Sequence, residues 1–319
     1  MEDGILGIHH VTAIASDPQR NIDFYTGLMG LRLVKVTVNF DDPTAYHLYY
    51  GDEVGHPGTI LTFFSWKGAP QGSLGTGQLT ATAFSIPEGA ISFWADRLRG
   101  HGVHLEGPFT RFNEQVLSFA DPDGLRLELV STSNADGGSL WKDGPVRPEY
   151  ALKGFRGVTI TAVAAHERTT SLLTETMGFR ETNQAGNRLR YGVGNGGYPA
   201  FVDLVSEPKS KRGVVSVGTV HHIAWRTPND DQQKAWRQRL VKVGLGVTPV
   251  IDRKYFHSIY FREPGGVLFE IATDPPGFTV DEPAAELGTR LQLPAWLEPE
   301  RREIEDALLP VHLPVVRAE

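Results

Sequence analysis

Cysteine is absent from all 319 residues. Disulfides, cysteine-ligated zinc, iron–sulfur clusters and thiol nucleophiles are excluded together. Basic runs are also missing. Lys and Arg total 31 against 38 Asp and Glu, a net charge of −7, which disfavours a nucleic-acid or anionic-membrane surface. No apolar stretch reaches the roughly 20 residues of a membrane span. The N-terminal MEDGILGIHH lacks the apolar core of a signal peptide. These absences lead to the expectation of a soluble, cytoplasmic protein. The rest is ordinary globular usage, 40% hydrophobic and 22% charged. The length suggests two domains or one large tandem architecture. The 35 glycines and 21 prolines imply many turns between short elements.

The chain repeats itself. Segments near 8–64, 79–131, 155–206 and 219–272 each open with an alternating, strand-like run. An amphipathic helix follows, then further strand-like runs broken by Gly, Pro, Asn or Asp turns. Met29-Gly30-Leu31-Arg32 recurs 148 positions later (29 to 177) as Met177-Gly178-Phe179-Arg180. Asp121-Pro122-Asp123-Gly124 recurs 142 positions later (121 to 263) as Glu263-Pro264-Gly265-Gly266, and Trp94 and Trp236 share that offset. The reading is a tandem duplication of a two-module half. Residues 1–133 form the N-terminal half, 134–154 a linker, 155–274 the C-terminal half, and 275–319 a tail ending in a short helix stopped by Pro310. In the first module Asp17 is placed to cap a helix, with Pro18 at its first position and Gly30 at its end. Ile22, Tyr25 and Met29 supply its buried stripe.

The duplication acts as an internal control. Ile8-His9-His10-Val11-Thr12 aligns with Phe155-Arg156-Gly157-Val158-Thr159, so His10 matches Gly157. Val220-His221-His222-Ile223-Ala224-Trp225 aligns with Leu79-Thr80-Ala81-Thr82-Ala83-Phe84, so His222 matches Ala81. Small residues stand at both places in the duplicate, so the fold does not demand imidazole there. A hydrogen-bonded core histidine is the ordinary fate of a lone strand His; two His-His pairs opening two equivalent strands point instead to metal ligands. Glu270 lies in the apolar strand Leu268-Phe269-Glu270-Ile271, where an unpaired carboxylate is costly. Its duplicate is Glu128, so part of its role could be pairing with a nearby Arg. Only His10, His222 and Glu270 make a complete set. Two imidazoles and one carboxylate with open positions match the facial triad of non-heme Fe(II) enzymes, although three-ligand zinc sites are open too. Aligning His56-Pro57-Gly58 with Glu263-Pro264-Gly265 sets Phe63 opposite Glu270, which leaves the fourth place without a ligand.

With these residues on the page, the chain resembles the vicinal oxygen chelate superfamily of glyoxalases, bleomycin-resistance proteins and extradiol dioxygenases. Within it, the chain is most similar to the ring-cleaving dioxygenases of hydroquinone and chlorohydroquinones. The resemblance covers nearly the whole length. It is carried by Leu6–Thr12, Tyr46-His47-Leu48-Tyr49-Tyr50, Val220–Ala224, Asp252-Arg253-Lys254-Tyr255-Phe256 and Tyr260–Glu270. It implies an α+β fold of four βαβββ modules in two tandem halves, with curved mixed sheets around the metal. It also implies Fe(II), with Mn(II) admissible, on His10, His222 and Glu270. Carried over as neighbours of metal and substrate are His9, Thr12, His221, Tyr260 and Arg253, with Lys254 an alternative to Arg253. The implied partners are a small aromatic diol and O2, with a homo-oligomer possible. His9, His221 or Tyr260 would then supply a proton, and Arg253 would balance oxyanion charge. His47, His101, His104, His166 and His257 lack partner logic and are read as structural or surface. Rival readings are an extradiol catechol dioxygenase, a glyoxalase-type isomerase or lyase, and a noncatalytic small-molecule-binding resistance protein.

Overall fold

The computed structural model describes residues 4–133, 139–162, 167–194 and 200–314. Each of the four segments folds as βαβββ. Module 1 comprises β1 (Ile8–Ala15), α1 (Pro18–Ile22), β2 (Arg32–Asn39), β3 (Asp42–Gly51) and β4 (Ile60–Ser65). Module 2 comprises β5 (Gln78–Pro87), α2 (Ile91–Gly100), β6 (Leu105–Arg111), β7 (Glu114–Ala120) and β8 (Arg126–Thr132). Module 3 comprises β9 (Phe155–Ala162), α3 (Glu167–Ser171), β10 (Arg180–Ala185), β11 (Arg188–Val193) and β12 (Ala200–Ser206). Module 4 comprises β13 (Val220–Thr227), α4 (Asp230–Lys242), β14 (Ile251–Asp252), β15 (Phe256–Arg262) and β16 (Leu268–Pro276).

Asp17 does cap α1, its side chain accepting from the Arg20 amide, and Pro18 opens the helix. The helix then widens into a π-helical turn over Asp23–Leu28, and module 3 repeats this over Leu172–Thr176. The residue pattern did not announce the widening. Ile22, Tyr25 and Met29 are buried as the stripe required, and Gly30 adopts φ 70°, a left-handed conformation that suits glycine.

The strands make two eight-stranded mixed sheets. Their order is β14-β15-β16-β13-β1-β4-β3-β2 in the first and β10-β11-β12-β9-β5-β8-β7-β6 in the second. The outer modules, 1 and 4, therefore build one sheet, and the inner modules, 2 and 3, build the other. In each, the two first strands pair antiparallel at the centre, and first and last strands of a module pair in parallel. Helices α2 and α4 pack on their own modules' strands, with Trp94, Leu98, Trp236 and Leu240 in the core.

Residues 139–154 pack on modules 1 and 2: the Glu53 amide donates to the Ser139 carbonyl, the Trp94 indole donates to the Tyr150 carbonyl, and Phe93 stacks on Tyr150. The tail wraps the first sheet. Lys35 on β2 is fully buried and pairs with Asp281, at 2.6 Å, and with Glu282. Leu291 bridges to Val36. The closing helix α5 (Arg301–Ala307) is short and seats Ile304 and Leu308 in the core.

Candidate metal centre

The first sheet brings three ligand-type atoms together at its centre. His10 Nε2 lies 3.3 Å from His222 Nε2 and 3.3 Å from Glu270 Oε2, and His222 Nε2 lies 2.9 Å from the same oxygen. All three residues are buried. The register explains the meeting. Ala224 on β13 faces both His10 on β1 and Glu270 on β16, and Thr12 faces His222.

Two β-bulges shape the surroundings. Where β1 advances from Ile8 to His10, β13 advances by one residue, so His9 is the extra residue. Where β13 passes from His222 to Val220, His221 is the extra residue. A bulge re-aims the side chains beside it. Here it sets His9 Nδ1 2.9 Å from His10 Nδ1 and His221 Nδ1 2.7 Å from His222 Nδ1. Each central imidazole is thus oriented through Nδ1 by its neighbour, leaving Nε2 pointed inward, the arrangement metal-binding histidines use.

Ser258 donates to Glu270 Oε1 at 2.5 Å, whereas Oε2 takes no hydrogen bond from the described residues. Burial alone would raise the Glu270 carboxyl; the imidazoles of His10 and His222 outweigh it and hold it well below its ordinary value. His222 is lowered by burial, only partly offset by Glu270. A buried carboxylate oxygen without a donor, facing two imidazole nitrogens at 2.9–3.3 Å, has the spacing that one cation bonded at about 2.1 Å to each would impose. Among the described residues this is the one cluster with metal-binding geometry.

The cluster opens into a cavity of about 310 Å³, walled by Phe40, His47, Tyr49, Phe64, Trp66, His221, Arg253, Phe256 and Tyr260. A larger groove of about 670 Å³ lies elsewhere, between Phe24, Leu28 and the module 2 residues His101–His104, and it holds no ligand cluster. His221 lines the cavity edge-on to Phe64 and Trp66; burial and then His222 lower it to about 3, so it is neutral. Tyr260 accepts from Arg253 Nε at 3.1 Å, and Arg253 Nη1 reaches Asp41 Oδ2 at 3.0 Å. Lys254 turns away, to Asp281 at 2.5 Å and the Leu293 carbonyl at 2.9 Å. Of the two candidates, Arg253 is the one in the wall. His9 and Thr12 are not: His9 packs behind His10 against Phe256, and Thr12 accepts from Thr62.

Two expectations are corrected. The residue matching Glu270 in module 1 is Thr62, not Phe63. Thr12 pairs with Thr62 as its equivalent Ala224 pairs with Glu270, so the turn-based alignment was one residue out. A one-residue slip turns a side chain to the opposite face, and Phe63 packs in the core with Tyr25. The fourth place still carries no carboxylate. His47, read as structural or surface, lines the cavity. Its Nε2 lies 2.9 Å from Thr62 Oγ1 and its Nδ1 2.9 Å from Tyr49 OH. Alternation from Thr62, once that register is known, is the signal that would have found it. His101 and His104 line the distant groove, His257 pairs with Asp230, and His166 lies outside the described residues.

Curled eight-stranded sheets of βαβββ modules, with two imidazoles and a carboxylate at the centre of one, define a class of metal-site proteins. The family model for the Glyoxalase/Bleomycin resistance protein/Dioxygenase superfamily matches residues 7–129 and 158–271, and the chain belongs to that superfamily. It is 48% identical over 312 residues to "Putative ring-cleaving dioxygenase MhqO" of Bacillus subtilis, covering 96% of each chain. It is 34% identical over 312 residues to the chlorohydroquinone/hydroquinone 1,2-dioxygenase of Sphingobium indicum, covering 95% of this chain and 96% of that one. A crystal structure of a "putative dioxygenase" from Bacillus subtilis superposes with a TM-score of 0.92 at 47% identity, over 97% of this chain and 98% of that one. Glyoxalase I of Zea mays, at TM-score 0.61 and 15% identity over 84% of this chain and 92% of that one, shares the fold alone. The chain is an oxygenase-type enzyme of the superfamily. No helix among the described residues is long and apolar enough to cross a membrane.

Proposed function

We propose that the chain is a non-heme Fe(II)-dependent dioxygenase that opens the ring of a 1,4-dihydroxybenzene, with His10, His222 and Glu270 as the metal ligands. The observation that carries the reading is the three-atom cluster with Thr62 in the fourth place. A second carboxylate, as a glyoxalase-type isomerase would use for its fourth ligand, is missing there, so the ligand set leaves positions open. The 34% identity to a hydroquinone dioxygenase supports the substrate class. Mn(II) suits the same donors.

When bound, the metal supplies Lewis acidity that favours an ionised ring oxygen, and the redox chemistry with O2. The residues do the rest. Phe40, Phe64, Trp66 and Phe256 wall an apolar slot for a flat ring. With His222 holding the metal through Nε2, its Nδ1–H would donate to His221 Nδ1, and neutral His221 would present its Nε2–H to the cavity as a hydrogen-bond donor. Tyr260 receives the Arg253 Nε–H and keeps its own hydroxyl proton to give. Arg253 sets a fixed positive charge at the wall, where oxyanion charge would develop. His9, Thr12 and Thr62 hold the ligands and the wall from behind.

The test is oxygen uptake by the Fe(II)-loaded protein, reconstituted anaerobically, with hydroquinone, catechol and a glutathione hemithioacetal at matched concentration. Hydroquinone should be consumed with O2 and give a hydroxymuconic semialdehyde, and catechol should be poorer because a 1,4-diol offers the metal one oxygen only. Rapid turnover of catechol with none of hydroquinone moves the chain to the catechol group. Isomerisation of the hemithioacetal without O2 uptake sinks the dioxygenase reading.

A further inference from the structure

The duplication places an arginine near each central carboxylate, yet only one of them takes it. At the 142-residue offset, Arg253 matches Arg111, Ser258 matches Val116, Tyr260 matches Ser118 and Glu270 matches Glu128. The strand register agrees: Tyr260 pairs with Glu270 and Ser118 with Glu128, Ser258 with Ala272 and Val116 with Val130. In the second sheet Arg111 grips Glu128 with both ends of its guanidinium, at 2.6 and 2.8 Å. A bidentate pair of this kind neutralises the carboxylate and occupies both oxygens. In the first sheet the Arg253 guanidinium lies over the Tyr260 ring, 5.3 Å from its centroid, with Nε on the Tyr260 hydroxyl and Nη1 on Asp41. Glu270 meets Ser258 at Oε1 and turns Oε2 to the imidazoles of His10 and His222, with no guanidinium of the described residues on either oxygen.

We propose that Tyr260 is a screening residue: its ring stands where Ser118 leaves a gap, and it denies Glu270 to Arg253, so that the carboxylate stays available for a cation. Ser258 completes the screen by taking Oε1 and turning Oε2 inward. This inference rests on the metal reading above and adds what keeps that site from closing into an ion pair like the one its duplicate makes. If Tyr260 acts only on substrate, its removal changes turnover and leaves metal affinity alone.

The experiment measures Mn(II) affinity by the loss of the free-ion electron paramagnetic resonance signal, in wild type, Tyr260→Ser, Tyr260→Phe, Arg253→Ala and the double variant Tyr260→Ser with Arg253→Ala. Tyr260→Ser recreates the Ser118 pattern and should weaken Mn(II) binding by about ten- to a hundredfold, the range that outer partners of a metal site command. Tyr260→Phe keeps the ring and Arg253→Ala removes the competitor, so both should stay close to wild type. The double variant should recover the affinity lost by Tyr260→Ser. Wild-type affinity in Tyr260→Ser, or a loss that Arg253→Ala does not restore, overturns the inference while leaving the metal site standing. A wild-type chain that takes up no Mn(II) and no Fe(II) overturns the metal reading and this inference with it. If Tyr260→Ser does not fold, Tyr260→Ala with and without Arg253→Ala carries the same expectations.

Discussion

The two sheets share strand order, bulges and module pattern, and they fill their centres in opposite ways. In the first, β1 and β13 contribute His10 and His222; in the second, β9 and β5 contribute Gly157 and Ala81. Thr62 corresponds to Asp203, and His47 and Tyr49 to Arg188 and Arg190. Arg111, Arg156, Arg188 and Arg190 interlock with Glu114, Glu128 and Asp203, and Arg156 and Arg190 stack on Phe201. Every one of those carboxylates meets a guanidinium. In the first sheet the central carboxylate meets imidazoles and a hydroxyl. A buried charge has to be matched: one sheet satisfies its acid with guanidinium groups of the chain, and the other leaves its acid to the cation proposed above. The bulges survive in both, at His9 and His221 in one and at Arg156 and Thr80 in the other, so they belong to the fold and the histidines to the site.

The largest expected effect breaks the first sheet's side of the contrast. His10→Ala, His222→Ala and Glu270→Gln should each lose stoichiometric metal and drop O2 uptake to background, while circular dichroism stays that of the folded protein. Stoichiometric metal in all three variants would remove the distinction between the sheets. The reverse change, Gly157→His with Ala81→His in the second sheet, meets an obstacle, because a Cβ at Gly157 would lie 2.4 Å from the Phe201 carbonyl oxygen.

Next comes the second sheet. Arg111→Ala strands a buried Glu128 and should cost about 3 kcal/mol of stability, read by urea unfolding, with metal stoichiometry unchanged. A fall in metal content would show that the sheets do not act separately.

The smallest effect concerns a feature the halves share. Asp121 and Glu263 each cap a turn, accepting backbone amides at Asp123 and Leu125 and at Gly265 and Val267. Burial raises Asp121 to about 6, against the backbone and Tyr25 hydrogen bonds that lower it. The folded state therefore holds this proton after the unfolded chain has released it, so stability falls as pH rises from about 4 through about 6. The whole window is worth on the order of 2–3 kcal/mol. Asp121→Asn should flatten that slope in unfolding measured between pH 4 and 7; an unchanged slope would place the proton elsewhere.

Much of this was readable in the residues. Offsets of 142 and 148 revealed the modules, and the contrast of His10 with Gly157 and His222 with Ala81 singled out the cluster, because duplication holds the fold constant while chemistry varies. Asp17, Pro18 and Gly30 marked a helix whose ends are set by local backbone chemistry. What lay between strands was not readable. The turn-based alignment chose Phe63 over Thr62 because turn length does not determine register, and a slip of one residue reverses every side chain. His47 was passed over because its neighbours, Thr62 and Tyr49, become neighbours only when β3 and β4 pair. The guanidinium network, Asp203 included, draws on modules far apart in the chain, and the contrast between Tyr260 and Ser118 has meaning only once each is seen between an arginine and a carboxylate. The sequence by itself determined the modules, the helix ends and the two histidines that differ in kind from their duplicates, since these follow from local backbone preference and from comparing one half with the other. Tertiary structure alone decided which side chains face the cavity and which carboxylate is left without a guanidinium, since both depend on register and reach between strands that are distant in the chain.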